Sequence, residues 1–562
     1  MKHIFILTLL SLSAAYLHAE EEADPAEVLL GERLFMETRF AQFFKTHMDT
    51  SGNVNIPLTK GDPALDKTVR FFGLPPYQIP FIDGPYAGQS INCRTCHLVD
   101  EHLGEEGHEQ SELGMRSYAD FASRSPVPTR EDGQTTTVRN SPVLVDISRP
   151  RDHFILHLDG EFSSVPELVR GTLTDRNMGW LPGEKDLAIE HICKVIREDD
   201  GSSPLAEEFG GLSYTEAFKG SRANDKSVES EYLIPQELRI DVQKANCEKV
   251  FNAVANTIAI YTNSLLFAED GSIISPYDLF LEINHLPTNA NENESNLEYS
   301  KRLMQNIQTL HKAKKLQFVE KNPNTEDGEF EFHDTPYVFG KQELAGMQVF
   351  FNQAQNDENS LGNCIACHPA PHFTDHGIHN TGITQVEYDA LHGQDAFNKL
   401  KIPNLSQRNK KADLYLPATH QHPKRKGIFR SVPSETDAMK TDLGAWNIVF
   451  NSDYPLSQES LYSLICIKDG KVVCTSRNNV LEKSVARFKT PTLRNLGHSA
   501  PYMHNGQISD LHAVTSFYLA ASINTRQGQF RNPDEDIAKI DIKPKDLNPL
   551  VLFLRSLYED YN

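Results

Sequence analysis

Cys93-Arg94-Thr95-Cys96-His97 and Cys364-Ile365-Ala366-Cys367-His368 decide the reading of this chain. Both have the form C-x-x-C-H. In a helical turn, two thiols three positions apart lie on one side. There they can add to the two vinyl groups of one porphyrin, and the following histidine is placed under the ring to bind iron. From the chain's own Cys and His frequencies, on the order of 0.004 such matches are expected by chance; two are present. The rival readings are a redox-active CxxC pair and half of a zinc site, and neither requires the trailing histidine. The motifs therefore predict two covalently attached c-type haems, one on Cys93 and Cys96 with His97 as iron ligand, the other on Cys364 and Cys367 with His368.

The rest of the chain is consistent with an extracytoplasmic protein. Its 562 residues exceed what a single core accommodates, so two or more domains are expected. A net charge of −22 argues against nucleic-acid binding, which needs basic patches, and leaves room for a basic electron-donor protein. Lys2 and His3, an apolar run from Ile4 to Ala15 and Leu17-His18-Ala19 predict a secretory signal peptide over residues 1–19, although Leu17 is large for its place before the cut. The apolar run is too short to span a bilayer, and no membrane span is expected elsewhere. Since CxxCH attachment normally occurs outside the cytoplasm, a bacterial periplasm is the expected location. Four cysteines remain beyond the haem motifs. Cys466 to Cys474 reads as a hairpin turning at Asp469-Gly470-Lys471, which predicts a 466–474 disulfide; Cys193–Cys247 follows by elimination.

Local patterning is mainly helical. Asp24-Pro25-Ala26-Glu27 predicts a helix start with Asp24 as N-cap. Helices are also expected over 164–171, 186–197 and Val250 to Phe267, where Val254, Ile258 and Tyr261 share a stripe, and then at Leu303–Leu310, Lys341–Gln353 and Asp546–Tyr561. Residues 99–140 read as a long loop over the first haem. The polar, breaker-rich stretch 284–299 suggests a boundary. The expected architecture is mainly α: two c-type cytochrome domains, 20–290 and 291–562, each around one covalent haem, with loop-rich insertions.

Several blocks carry a family resemblance. Gly346-Met-Gln-Val-Phe-Phe351, Gly362 to Asp375, Ile378-His-Asn-Thr-Gly382, Phe488 to Gly506, Arg139-Asn140-Ser141-Pro142 and Asp159-Gly160 resemble the bacterial di-haem cytochrome c peroxidase family, which includes MauG. The resemblance leaves out insertions near 40–85, 203–235 and 395–485. It implies that the N-terminal haem meets hydrogen peroxide while the C-terminal haem stores or relays an electron. It also implies a calcium ion bound partly by Asn140 and by backbone oxygens of Ser499 and Pro501, a salt link from Arg139 to a haem propionate, and a C-terminal haem pocket lined by Met503 and His504. The second axial ligand of that haem lies fourteen residues after His504, at Tyr518, as in the MauG branch; the peroxidases have Met there. A phenolate stabilises high-valent iron, whereas a thioether favours the ferrous state. Met503 is the alternative ligand.

Departures from the family pattern matter as much. Leu158 stands where a tryptophan usually precedes Asp159-Gly160. The family's distal Glu falls near Arg176-Asn177-Met178-Gly179, with Asp175 close by, and its Gln position is Leu168. No histidine lies between Met115 and Val138. Glu161 and Glu167 are candidate catalytic substitutes, each with the alternative of being a solvated helix residue. The expected function is a periplasmic di-haem oxidoreductase using hydrogen peroxide. Its electrons would come from a small cytochrome c or cupredoxin, or it would oxidise a protein substrate in the MauG manner. The alternative is a non-catalytic di-haem electron-transfer cytochrome.

Overall fold

A computed structural model describes residues 24–559 apart from 49, 66–68, 71–80, 83–89, 98–123, 224–225, 267–274, 326, 331–332, 354–359, 469, 495 and 498. The predicted signal peptide lies outside these residues, as does much of the 99–140 loop. Helices of eight residues or more are α1 (Ala26–Phe35), α2 (Val165–Leu173), α3 (Lys185–Glu198), α4 (Cys247–Ser264), α5 (Pro276–Ile283), α6 (Asn296–Lys312), α7 (Lys341–Phe351), α8 (Ile383–His392), α9 (Gln458–Cys466), α10 (Leu511–Arg526) and α11 (Leu547–Arg555). The described strands only form two-stranded pairs, so the fold is mainly α. None of the described helices is long and apolar enough to cross a membrane.

Three cores organise these helices. The first packs α1, α2 and α3 around α4, whose stripe of Val250, Val254, Ile258 and Tyr261 is fully buried. Its start is set by Asn246, whose side chain accepts from Lys249 N. The second gathers α5, α6, α7, α10 and α11 and begins at Tyr277, ahead of the sequence boundary at 284–299. The third was not legible in the sequence. Residues of the 395–485 insertion close on Trp446, which is fully buried with Phe429 edge-on at 5.3 Å and the Arg408 guanidinium over its ring. Ile155 of the first half packs into this third core.

Local expectations needed two adjustments. Asp24 does not cap α1: Pro25 occupies the cap position, with no side-chain cap bond. In the Cys466–Cys474 hairpin Lys471 pairs with Lys468, so two residues make the turn instead of three; Asp469 is outside the described residues. Both expected disulfides, Cys193–Cys247 and Cys466–Cys474, are formed.

The first two cores share one device. Where α1 crosses α4, a Cβ on Gly31 would run into the Thr257 carbonyl and the Tyr261 side chain. Where α7 crosses α11, a Cβ on Gly346 would strike the Pro549 carbonyl. Each crossing holds two helix backbones closer than any side chain allows. Gly31→Ala and Gly346→Ala are each expected to cost about 1–3 kcal/mol, read as a lower denaturant midpoint at unchanged m-value.

Candidate functional site

Both C-x-x-C-H segments fold as single tight turns. Cys96 N and His97 N donate to Cys93 O at 3.1 and 3.0 Å, and Cys367 N and His368 N donate to Cys364 O at 3.2 and 2.8 Å. The first turn is pinned by reciprocal bonds between Asn92 and Thr95, and Cys93 N donates to Phe35 O at the end of α1. All four cysteines are free thiols. Burial raises every one of them, Cys93 and Cys364 to about 12.

The histidines are oriented alike. His97 Nδ1 lies 2.9 Å from Pro142 O and His368 Nδ1 lies 2.8 Å from Phe373 O. A carbonyl only accepts, so Nδ1 carries the proton and Nε2 keeps its lone pair for a metal. Burial pushes His97 down to about 4 and lowers His368, which keeps both rings neutral as iron ligands must be. Among the described residues, the two thiols and the imidazole of neither motif converge on one point, as a zinc site would require. The donor set fits haem attachment.

A cavity of about 1180 Å³ opens onto the first motif. Its lining includes Cys93, Cys96 and His97 together with His157, Glu161, Leu168, Asp175 and Arg430. The two candidate glutamates part company here. Glu167 is not among the lining residues; its carboxylate accepts from Ser163 Oγ at 2.8 Å while its backbone N–H is capped by Ser164, so it closes the start of α2. Glu161 does line the cavity, but Oε2 is held by the Arg430 guanidinium and by His157 Nδ1 at 2.9 Å. The Arg430 guanidinium and the hydrogen bond from His157 outweigh its burial and hold Glu161 far below the usual carboxylate range. Asp175 turns its surface into the cavity, where lost hydration and the negative Glu161 raise its carboxyl above the usual value. The Leu168 side chain lines the same space without a polar atom.

Arg139 is held from two sides. It also lines the cavity, but its guanidinium is committed to Asp442 at 2.5 and 2.9 Å and to Asp159 at 2.9 Å. Two carboxylates balance it, which makes it a structural clamp at the cavity wall. Leu158 is buried at the tryptophan position, and its carbonyl accepts from Lys489 N at 2.7 Å, so the two halves meet there through backbone.

The remaining predicted residues gather where the halves join. Asn140 Nδ2 donates to Pro501 O, Asn140 N donates to His504 O at 2.8 Å, and Asn140 Oδ1 accepts from Ser141 N at 3.0 Å. Asn140 and Pro501 are thus brought together, but a cation there needs the amide reversed so that Oδ1 faces Pro501. Ser499 is held two residues before Pro501 by its N–H to Leu496 O at 3.3 Å. His504 stacks on Phe488 at 3.6 Å, and burial lowers it to about 3. Met503 has a left-handed backbone, φ +74°. Tyr518, on α10, packs against the second core as Cys364 does. Burial raises its phenol, and the charge of Cys367 and Cys364 adds to that rise. Sequence reasoning missed Arg430 and Asp442 altogether, because nothing in the insertion's composition marks which of its charges reach another domain.

No family model matches the chain. Among curated proteins, it is 26% identical over 196 residues to the cytochrome-c peroxidase IdrP2 of Denitromonas iodatirespirans, covering 35% of this chain and 36% of that protein. It is 29% identical over 75 residues to IdrP1 of the same organism, covering 13% and 19%. The chain therefore spans about a third or less of the length of the curated relatives it matches. Among solved structures, the diheme peroxidase BthA from Burkholderia thailandensis aligns at 14% identity over 96% of this chain and 87% of that one, TM-score 0.42. A MauG-like protein associated with microbial copper homeostasis aligns at 14% identity over 96% and 90%, TM-score 0.40.

Removing one member of a buried ion pair strands the others. Arg139→Ala, which leaves Asp442 unpaired and Asp159 with Arg430 alone, is expected to lower stability by about 3–5 kcal/mol. Thermal unfolding of the variant beside Arg139→Lys is the check, with Lys recovering part of the loss.

Proposed function

We propose, on the premise of kinship with the bacterial di-haem cytochrome c peroxidase and MauG family, that this chain is a periplasmic di-haem oxidoreductase that reduces hydrogen peroxide at its N-terminal haem. The observation that carries this reading is the cavity over Cys93, Cys96 and His97, with the titratable groups His157, Glu161 and Asp175 in its lining. The haem on Cys93 and Cys96 would fill part of this space in either reading, so it is the titratable lining that favours a reaction site over an electron carrier.

In this reading Cys93 and Cys96 hold one haem with His97 as ligand, and Cys364 and Cys367 hold the other with His368 and Tyr518. When bound, these groups supply the redox-active iron that gives two electrons to the peroxide. The overall change is H2O2 + 2H⁺ + 2e⁻ → 2H2O, with electrons from a reduced cytochrome c, a cupredoxin or an oxidisable protein substrate. The Pro142 and Phe373 carbonyls keep the His97 and His368 rings oriented. Tyr518 is taken as the second ligand from its place fourteen residues after His504, with Met503 as the alternative. The net charge of −22 suits a basic donor protein. Asn140, Ser499 and Pro501 would hold a structural calcium ion at the junction of the two halves.

Two measurements test this. Cys364→Ala together with Cys367→Ala should remove one covalent haem, read as the loss of one haem mass from the intact protein. The visible and near-infrared spectrum of the diferric protein should change rapidly on one equivalent of H2O2, and Tyr518→Phe should abolish or redirect that change. A spectrum unmoved by peroxide, with both irons six-coordinate, would leave the electron-transfer cytochrome.

A further inference from the structure

We propose that the 395–485 insertion completes the reaction cavity: Arg430 holds Glu161 in a fixed ion pair and leaves Asp175 as the group that takes up and returns the substrate's proton. This rests on the peroxide-reducing reading above.

The insertion grips the strap 157–161 at several points. Arg430 Nη2 binds Glu161 Oε2 and lies 3.3 Å from Asp159 Oδ2. Ser457 Oγ donates to the Glu161 backbone carbonyl at 3.0 Å. Asp442 binds Arg139, whose other arm reaches Asp159. Glu161 is therefore fixed by side chain and by backbone, and a carboxylate that shares one oxygen between a guanidinium and an imidazole N–H is a poor proton carrier.

Asp175 is placed differently. Its carboxylate accepts from Arg176 N at 2.7 Å, and no cation pairs with it among the described residues. The Arg176 guanidinium is turned to Asp132 at 2.6 Å. The charged and titratable groups acting on Asp175 are Glu161, Arg430 and His157, with Tyr454 of the insertion in the same cluster. Two carboxyls in one cavity, one held low and the other pushed up, are the arrangement that divides anchor from acid–base.

The proton step balances simply. The ionised Asp175 takes the O–H proton of the peroxide and returns it to the departing oxygen as the O–O bond breaks. The donor protein supplies two electrons and solvent supplies the two protons consumed. Arg430 is then a positioning residue: it fixes Glu161, and its charge also bears on Asp175.

The test is the pH dependence of two rates in the holoprotein: reaction with H2O2, and association of cyanide, in which HCN sheds its proton without peroxide turnover. Both should rise with pH through the ionisation of Asp175. Arg430→Gln removes a nearby cation and should move this limb up by about one pH unit or more, while Glu161→Gln removes an anion and should move it down by a similar amount. Arg430→Lys should keep the wild-type limb. Asp175→Asn should abolish the limb and slow the peroxide reaction roughly 100-fold. A limb unmoved in both Arg430→Gln and Glu161→Gln, or moved the same way in both, overturns the proposal, as does Asp175→Asn with a wild-type profile. If cyanide association follows the stated shifts while peroxide causes no reaction, the proton assignment stands and the peroxidase reading falls.

Discussion

The chain of ion pairs Asp442–Arg139–Asp159–Arg430–Glu161 is the constraint on which the arrangement of this protein depends. Three of its four links join the insertion to the first half, Asp442–Arg139 across 303 residues, Arg430–Glu161 across 269, and Asp159–Arg430 beside the latter. Burying charges is favourable only when each has partners in good geometry, so the whole chain must form together or not at all. It therefore fixes the insertion against the first half in one pose, and the cavity wall that carries Arg430 is set by the same contacts.

Around that chain the two motif-bearing units are built alike. Each has a helix with a glycine at a close crossing, then a thiol-bearing turn whose histidine gives its Nδ1 proton to a backbone carbonyl. The units differ in what surrounds the histidine. The first opens to a cavity with carboxylates and an imidazole; the second packs its Cys364 and Tyr518 against an aromatic core containing Phe350, Phe373 and Phe553. Burial and nearby charge set the potential and reactivity of any group held in either site, and the two surroundings differ in polarity.

Legibility in the sequence followed the range of the interaction. The stripe on α4 was readable because four positions on one helical face suffice to report burial. The hairpin between Cys466 and Cys474 was readable because nine residues hold both cysteines and the turn. Glu161 and Glu167 looked equivalent in sequence, six positions apart and both acidic. Only the fold separates them, by turning one into the cavity and giving the other the start of α2 to cap.

By itself the sequence determined the two thiol–imidazole turns and the helical character of the chain, because spacing along the backbone carries that information, while a short hairpin and elimination gave the pairing of the remaining cysteines. The tertiary structure alone decided that the insertion forms a third core, that Arg139 is spent on Asp159 and Asp442, and that Arg430 reaches Glu161. The physical reason is that a charge's partner is chosen by proximity in space after burial has stripped away water, and no local pattern records which of many acidic residues will stand there.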